Sequence, residues 1–419
     1  MPGELTDERE YLEERRERLA PAGAVSRRRL LQMAAAGVPL LGSLGATGRL
    51  AAAEGDPAPP PPAIRKPTPP EWFVNYGTNA EMRWDAVGDL GYAIPNERFF
   101  VRNHTATPTI DAATWRLRIE GPALRKGPVE FTYPDLLRLH GREITAFVEC
   151  AGNGRSFFGS QQGTPAAGTA WGLGAIGVAR WRGVPLAVLL DRARVDMKRA
   201  VDVMPEGLDA TVVANGVDQG HVRRPLSIGK ALDDALVALE MNGEPLPPDH
   251  GFPARLIVPG WIGVASIKWL GRILVSDAPL TSYWNTVQYR FTGGDYPADS
   301  PPLTEQVVKS AWELPRPATL PAGVPVTLHG RSWSGHGRIR RVEVSNDGGA
   351  TWHRARLQGP NHRLAWVRWS IPWRRPEAGA YELLARATDD RGNTQPDTAP
   401  FNANGYLFGA VVRHALTVA

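Results

Sequence analysis

The residues of this chain with the clearest capacity for redox chemistry surround its single cysteine. Cys150 lies in the run Phe147-Val-Glu-Cys-Ala-Gly-Asn-Gly-Arg-Ser156, where a glycine-rich turn follows a β-rich segment and Arg155 stands shortly after the thiol. A thiolate is a soft metal ligand, and a nearby guanidinium group favours a bound anion. The spacing therefore predicts a metal ligand beside an anion site. A lone cysteine is also compatible with a small, buried hydrophobic residue.

Four further runs accompany the cysteine segment. In chain order they are Phe100-Val-Arg-Asn-His104, Glu240-Met-Asn-Gly-Glu-Pro-Leu-Pro247, Asp249-His-Gly-Phe-Pro-Ala-Arg255 and Ser266-Ile-Lys-Trp-Leu-Gly271. With the cysteine segment after the first of them, the set resembles the sulfite oxidase family from about Asn75 to the C-terminus. The resemblance implies an α+β sulfite-oxidase-type molybdopterin-binding domain followed by an immunoglobulin-like β-sandwich dimerisation domain. It also implies a molybdenum-molybdopterin cofactor whose metal is bound by Cys150.

The same resemblance implies roles for individual residues by motif position. Planar, permanently charged guanidinium groups suit a sulfite dianion better than a mobile ammonium group does. The implied substrate contacts are Arg102, Arg155, Trp171 and Tyr289. The implied molybdopterin contacts are Phe100, Arg102, Asn103, His104, Asp209, His250, Arg255, Ser266, Ile267 and Lys268.

Structural roles stay open for several of these side chains. The arginines are compatible with surface ion pairs, and Trp171 and Tyr289 with packing in a core. His104 and His250 fit core histidines or the ligands of a simple metal, although their spacing from Cys150 is not that of a zinc ribbon.

Three departures from the animal members of the family bear on the substrate more than on the cofactor. Gly154 stands where they have a second arginine, and Asn404 where they have an arginine that reaches the active site. Residues 220–228 replace the run that follows the residue equivalent to Asp209.

Composition narrows the class of protein. The chain has 419 residues, 42% hydrophobic and 22% charged, which is typical of a globular protein of two or three domains. One cysteine excludes an intrachain disulfide, and no Cys-x-x-Cys-His run occurs. We therefore expect no haem in this chain and an external electron acceptor, such as a c-type cytochrome. The net charge of +5 is spread along the chain, which favours an anionic substrate and argues against nucleic acid as a partner.

The N-terminal segment is typical of an export signal. Ser26-Arg-Arg-Arg-Leu-Leu-Gln32 has the twin-arginine pattern, and a weakly apolar stretch and the small residues Ala51-Ala-Ala53 follow it. We predict a twin-arginine signal peptide over 1–53, an extended proline-rich linker over 54–71, and a periplasmic or extracytoplasmic protein. No membrane span is expected after cleavage. The alternative is a chance arginine cluster on a charged helix.

Two folded regions are expected after the linker. Region 72–300 mixes short strand patterns with a few helical ones, as in an α+β domain, and region 301–419 reads as a small β-sandwich. Helices are predicted over 133–139, 186–193 and 228–236, with Thr132 and Ser227 as N-caps. Strands are predicted over 115–119, 144–148, 210–214, 255–258 and 273–275, then over 324–328, 339–345, 366–371 and 381–388.

The leading hypothesis is a homodimeric, molybdenum-dependent enzyme that oxidises sulfite to sulfate. Two alternatives keep the cofactor: a sulfane dehydrogenase acting on another sulfur compound, or a reductase of an S- or N-oxide. A third is an exported immunoglobulin-type binding protein without metal, in which Cys150 is buried and inert.

Overall fold

The computed structural model describes residues 63–419 except 140, 295 and 298. The predicted signal peptide and residues 54–62 of the predicted linker lie outside the described residues. The strands of the first region are β1 (Phe73–Tyr76), β2 (Asn79–Met82), β3 (Val101–Arg102), β4 (Arg116–Glu120), β5 (Val129–Thr132), β6 (Arg142–Glu149), β7 (Ile176–Pro185), β8 (Asp202–Gly207), β9 (Val213–Ala214), β10 (Val217–Asp218), β11 (Leu226–Ser227), β12 (Leu236–Met241), β13 (Glu244–Pro245), β14 (Arg255–Ile257) and β15 (Leu270–Ser276). The helices are α1 (Tyr133–Arg138), α2 (Ser156–Ser160), α3 (Leu186–Arg192), α4 (Ile228–Asp233) and α5 (Tyr283–Thr286). Short 3-10 turns cover Trp84–Ala86, Pro248–His250 and Gly263–Ala265.

Two five-stranded sheets build most of this region. One has the order β11-β8-β15-β4-β5, in which β15 and β4 run parallel. The other has the order β13-β12-β7-β6, with β14 also paired to β12. A small sheet of β1, β2 and β3 packs beside them. The mixed sheets with few helices confirm the predicted α+β class, and β6 ends at the residue before Cys150.

The helix starts follow local sequence chemistry. Thr132 accepts a hydrogen bond from the Asp135 N–H at 3.2 Å, and the Asp135 carboxylate accepts one from the Thr132 N–H at 3.0 Å, a capping box that begins α1. The Ser227 hydroxyl caps α4 by accepting from the Lys230 N–H at 3.3 Å. Both caps were predicted.

Two sequence predictions are wrong in detail. Helix α4 was expected to reach residue 236, but Leu236 starts β12, where pairing with Pro185 of β7 and Ile257 of β14 buries it. The predicted strand 210–214 is reduced to β9, which pairs only with β10 across the Asn215-Gly216 turn. Tertiary pairing overrides the local pattern in both places.

The second region is the predicted sandwich. One sheet has the order β16-β18-β22-β21, and the other β17-β24-β23-β19-β20. Apolar side chains of both sheets, among them Trp369 and Leu383, form one buried core between them. The strands are β16 (Lys309–Trp312), β17 (Ala318–Leu320), β18 (Val326–Trp333), β19 (Ile339–Ser345), β20 (His353–Arg354), β21 (Arg356–Gln358), β22 (Trp366–Trp373), β23 (Gly379–Asp389) and β24 (His414–Val418).

The end of the predicted linker is part of the first region. Ile64 is buried, and the main-chain N–H groups of Arg65 and Lys66 donate to the Asp249 carboxylate at 2.7–3.1 Å. A buried carboxylate therefore binds the main chain of residues 65 and 66, within the stretch that was predicted as an extended linker. Within the described residues, no helix combines the length and apolar character needed to cross a membrane.

Candidate active site

Cys150 sits at the start of a tight loop between β6 and α2. Its N–H donates to the Ala175 carbonyl at 2.9 Å, and its carbonyl accepts from the Asn153 N–H at 3.0 Å. The Gly152 N–H lies 3.4 Å from the sulfur. The thiol is free and 8% exposed, so the loop presents one oriented sulfur at the wall of a cavity.

A buried ion pair lies directly behind this loop. Lys309 of β16 donates to the Glu149 carboxylate at 2.8 Å and to the Asn153 carbonyl at 2.9 Å. The same carboxylate accepts from Asn153 and Trp333, each at 2.9 Å. The Glu149 and Lys309 side chains are at most 2% exposed. The second region therefore helps to hold the cysteine loop of the first.

A deep cavity of about 720 Å³ opens on one side of Cys150. All of the residues that the resemblance assigned to molybdopterin line it, together with Cys150, Asp249 and Tyr289. The Asp249 carboxylate accepts from the Thr107 hydroxyl at 2.6 Å, and Thr107 in turn accepts from Asn103 at 3.0 Å. Lys268 donates to the Asp249 carbonyl at 2.9 Å and to the Asn103 side chain. Strands from distant parts of the chain thus share one polar network.

The deep cavity carries an excess of buried positive charge. Burial lowers the pKa of Arg255 to about 9 and that of Lys268 well below its ordinary value. It also lowers to about 7 the pKa of Lys66, which does not line the cavity but lies 3.5 Å from His250, which does. Burial, with Lys66 and Lys268 adding to it, also lowers the pKa of His250. A bound anion would favour the charged forms of these groups.

Unsatisfied polar atoms in the deep cavity indicate a ligand with both donors and acceptors. Asp209 Oδ1 and Arg255 Nε are buried without a hydrogen-bond partner. Burial raises the pKa of Asp209 to about 6. A phosphate-bearing pterin fits this set, because the cations match its phosphate and the unsatisfied atoms can bond to its polar ring edge.

An outer pocket of about 950 Å³ lies on the other side of Cys150. It shares Cys150, Arg102, His104 and Tyr289 with the deep cavity, so the thiol stands where the two spaces meet. The four residues predicted to contact substrate, Arg102, Arg155, Trp171 and Tyr289, all line the outer pocket.

The two arginines of the outer pocket are fixed by main-chain carbonyls. Arg102 donates to the Asn103 carbonyl at 2.6 Å, and Arg155 donates to the carbonyls of Asn404 and Thr169 at 2.7 and 2.8 Å. Burial alone would lower the pKa of Arg102, but the facing Tyr289 and Cys150 raise it above its ordinary value. Each guanidinium group has further N–H groups available for an oxyanion.

The structure shows the surroundings of two residues that differ from the animal proteins, Gly154 and Asn404. Gly154 has a φ of +92° and packs against Phe408, a conformation and a space that disfavour the arginine of the animal proteins. Asn404 contributes its carbonyl to Arg155, while its side chain donates to the Thr292 hydroxyl at 3.2 Å. Position 404 therefore orients a cation but adds no charge.

Tyr289 forms the aromatic side of the outer pocket. Its hydroxyl lies 3.1 Å from His104 Nε2, and its ring stacks on Tyr406 at 5.2 Å. Its φ of +57° is unusual for a bulky residue and marks a strained position held by its surroundings. Burial lowers the pKa of His104 well below its ordinary value, and Arg102 and Lys268 lower it further, so the imidazole is neutral.

Trp171 closes the outer pocket opposite the tyrosines. It is 1% exposed and packs edge-on against the Tyr76 ring at 5.4 Å. The N–H groups of Gly172 and Gly174 donate to the buried Glu81 carboxylate at 3.1 and 3.3 Å, which holds this loop against β2. The wall is therefore rigid and apolar, as exclusion of water requires.

Sequence reasoning missed several residues of the site. Asp249 was quoted as part of a motif but given no role, and Lys66 was placed in the linker. Tyr406 lies two positions after Asn404, and no local pattern distinguishes it. Across residues 63–419, apart from the three undescribed positions, no three His, Cys, Asp or Glu side chains are grouped to hold a simple metal ion.

Comparison with known proteins agrees with this geometry. Residues 104–284 match the family described as "Oxidoreductase molybdopterin binding domain", and residues 305–418 match "Mo-co oxidoreductase dimerisation domain". The chain is 38% identical over 352 residues to sulfite oxidase of Gallus gallus, covering 78% of this chain and 74% of that protein. The chain belongs to the sulfite oxidase family.

Other similar proteins show how broad the likeness is. The chain is 38% identical over 343 residues to the mitochondrial sulfite oxidase of Homo sapiens, covering 76% of this chain and 60% of that one. It is 34% identical over 357 residues to a nitrate reductase of Hordeum vulgare, covering 78% of this chain and 40% of that one. The crystal structure of the sulfane dehydrogenase SoxCD from Paracoccus pantotrophus superposes with a TM-score of 0.71 at 29% identity, covering 89% and 96% of the two chains.

Membership of the sulfite oxidase family confirms the cofactor and the class of chemistry. The chain is a molybdopterin-dependent oxidoreductase with a dimerisation domain, and its cofactor is the molybdenum cofactor. Cys150 is the thiol available to bind the metal, since it is the single cysteine of the sequence and lines both spaces.

Proposed function

We propose that this protein oxidises sulfite to sulfate and passes the electrons to an external acceptor such as a c-type cytochrome. One observation carries the proposal: Cys150 lies between a basic deep cavity that suits molybdopterin and an outer pocket with the two guanidinium groups of Arg102 and Arg155. The reaction converts sulfite and water into sulfate, two protons and two electrons. When bound, the cofactor supplies the oxygen-atom transfer and accepts the electron pair, which no side chain can do.

The residues of the chain bind and orient the substrate. Arg102 and Arg155 are held in place by main-chain carbonyls before the substrate arrives, so little reorganisation is needed to bind a dianion. The Tyr289 hydroxyl faces the same pocket and can donate a hydrogen bond to a substrate oxygen. Trp171 excludes water from the opposite side.

The proposal is tested by molybdenum content and by sulfite-dependent reduction of ferricyanide. The wild-type chain, made in a host that synthesises molybdopterin, is expected to hold about one molybdenum per chain and to turn over sulfite. Cys150→Ser should lose turnover, whereas Ser156→Ala, a hydroxyl deletion in the same loop region, should keep it. Molybdenum without sulfite turnover would overturn sulfite as the substrate but not the cofactor assignment.

A second candidate is oxidation of another sulfur compound, as in a sulfane dehydrogenase. The uncharged Asn404 at the outer pocket and the likeness to SoxCD favour it. Assaying a sulfane-sulfur substrate beside sulfite separates the two, because only the true substrate should reduce ferricyanide at low concentration.

We also propose that the protein is an exported homodimer. Residues 305–418 match a dimerisation domain, and the twin-arginine pattern near residue 26 supports export. Light scattering of the purified protein should give twice the chain mass. N-terminal mass analysis of protein recovered from the periplasm should show cleavage near Ala53; an intact terminus in the cytoplasm would contradict export.

A further inference from the structure

Arg224 is a buried arginine behind the outer pocket that the proposed chemistry does not use. Its side chain is 1% exposed, and it forms no ion pair with any carboxylate in the described part of the chain. It donates from Nη1 to the Trp284 carbonyl and from Nη2 to the Leu303 carbonyl, while Nε has no hydrogen-bond partner. A buried cation without a counter-ion is unfavourable, so its retention in the fold needs a cause.

The two carbonyls that Arg224 binds belong to Trp284 and Leu303, which both contact Tyr289. The Leu303 N–H donates to the Tyr289 carbonyl at 2.8 Å. The Trp284 ring packs against the His104 ring at 4.4 Å, and that imidazole bonds to the Tyr289 hydroxyl. Arg224 thus fixes the segments that hold the Tyr289 main chain in its strained conformation and its hydroxyl in the pocket.

Arg224 also brings charge to the pocket from behind. It does not line the pocket, but the Trp284 carbonyl that it binds belongs to a residue that does. Burial lowers the pKa of Arg224 only to about 10, so it is protonated at neutral pH. With Arg102 and Arg155, it is the third guanidinium group that acts on Tyr289. Position 404, where animal members carry an arginine, supplies no charge.

We propose that Arg224 is a positioning residue that clamps the main chain of Trp284 and Leu303, the two residues that hold Tyr289, and adds positive charge beside the substrate pocket. The inference rests on the proposed function for its kinetic part. Its structural and anion-binding parts do not depend on which sulfur compound is the substrate.

The experiment compares three variants of the molybdenum-loaded chain with the wild type. Arg224→Leu removes the clamp and the charge, whereas Arg224→Lys keeps the charge but cannot span both carbonyls. Arg223→Leu is the matched control, because Arg223 is the adjacent residue, is partly exposed and pairs with Glu206 at 3.0 Å. The measurements are molybdenum per chain, kcat and KM for sulfite, the binding constant of sulfate by calorimetry, and a crystal structure of the Lys variant.

The two parts of the proposal give different signatures. Arg224→Lys should lower kcat by about 10²-fold, the effect of a reacting group displaced by about 1 Å, with sulfate binding unchanged and the Tyr289–His104 contact lengthened. Arg224→Leu should lose kcat similarly and also weaken sulfate binding by about tenfold. If Arg224→Lys has the kcat of the wild type and Tyr289 has not moved in its crystal structure, the positioning role of Arg224 is wrong. If a folded Arg224→Leu variant binds sulfate as tightly as the wild type, the contribution of the Arg224 charge to anion binding is wrong.

Failure of the proposed function can be distinguished from failure of the proposal for Arg224. If the wild type binds sulfate but does not oxidise sulfite, the substrate assignment fails, while the sulfate constants and the position of Tyr289 still decide the role of Arg224. If Arg224→Leu does not fold, the Lys variant tests the clamp, and Arg224→Gln, which has an amide donor but no charge, tests the charge.

Discussion

The deep cavity and the outer pocket both contain buried cations that donate to main-chain carbonyls, but the pKa values of cations in the two spaces are shifted in opposite directions. In the deep cavity, burial lowers the pKa values of Lys268 and Arg255, although both side chains also donate to main-chain carbonyls. In the outer pocket, main-chain carbonyls already bind the guanidinium groups of Arg102 and Arg155. In the outer pocket, the facing Tyr289 and Cys150 raise the pKa of Arg102 against burial, so this cation stays charged without a ligand, whereas a bound anion would favour the charged forms of Lys268 and Arg255. A resident cofactor and an exchanging substrate call for this difference.

The largest effect that distinguishes the two spaces should come from Arg155→Lys. A lysine ammonium group cannot bond to the carbonyls of Asn404 and Thr169 and also donate two parallel hydrogen bonds to an oxyanion. We therefore expect kcat/KM for sulfite to fall by about 10²–10³-fold. Molybdenum per chain should stay at the wild-type value, measured by metal analysis of the same preparation. An equal loss of molybdenum would show that the two spaces are not independent.

The reverse pattern is expected for Arg255→Met in the deep cavity. If this cavity holds the cofactor, loss of a cation that lines it should weaken cofactor retention by about 10- to 100-fold, as for residues that support a bound metal centre. Turnover per remaining molybdenum should change little. Arg272→Met is the control, because Arg272 pairs with Glu120 at 2.6 Å outside the cavity. Unchanged molybdenum retention in Arg255→Met would show that the cations of the deep cavity do not hold the cofactor, which contradicts the difference drawn between the two spaces.

The free energy of unfolding of the cofactor-free protein should depend on pH because of Lys66. Its pKa is lowered in the fold to about 7, while an unfolded lysine titrates near 10.4, so the unfolded state binds more protons between these values. The free energy of unfolding should therefore rise with pH above about 7, by at most about 1.4 kcal/mol per pH unit. Asp249, Glu97 and His250 are the titratable groups nearest to this ammonium.

Denaturant titrations of the cofactor-free wild type and Lys66→Met at several pH values measure this slope. The slope should be shallower in the variant. It should also disappear in the loaded protein, because a bound anion restores the pKa of the ammonium group. An identical slope in both cofactor-free proteins would assign the pH dependence to other groups.

The smallest effect is expected from Asn404→Arg, which places a charge at the outer pocket. An added guanidinium group should tighten sulfate binding by about three- to tenfold, less than a fully buried charge would, because water screens it. Calorimetry with sulfate measures the change. Weaker binding would show that repulsion from Arg155 outweighs the gain, and that the pocket is adapted to a substrate of lower charge.

The site could be predicted from the sequence wherever its residues lie in short runs. The motifs that contain His104, Cys150 and Arg255 gave the cofactor and the family, and capping chemistry at Thr132 gave the start of α1. Contacts between distant segments could not be predicted. Lys66 meets His250 across 184 positions, and a proline-rich composition gives no indication that a buried Asp249 binds its main chain. The clamp by Arg224 likewise joins residues 60 and 79 positions away.

The ion pair between Glu149 and Lys309 also sets an order for assembly. Lys309 is 160 residues further along the chain than Glu149, so during synthesis it follows after roughly 10–30 s at ordinary elongation rates. Until then the Glu149 carboxylate, which is adjacent to Cys150, lacks its buried partner. The cysteine loop can therefore be held in its final form only after the first strand of the second region has been synthesised and has docked against it.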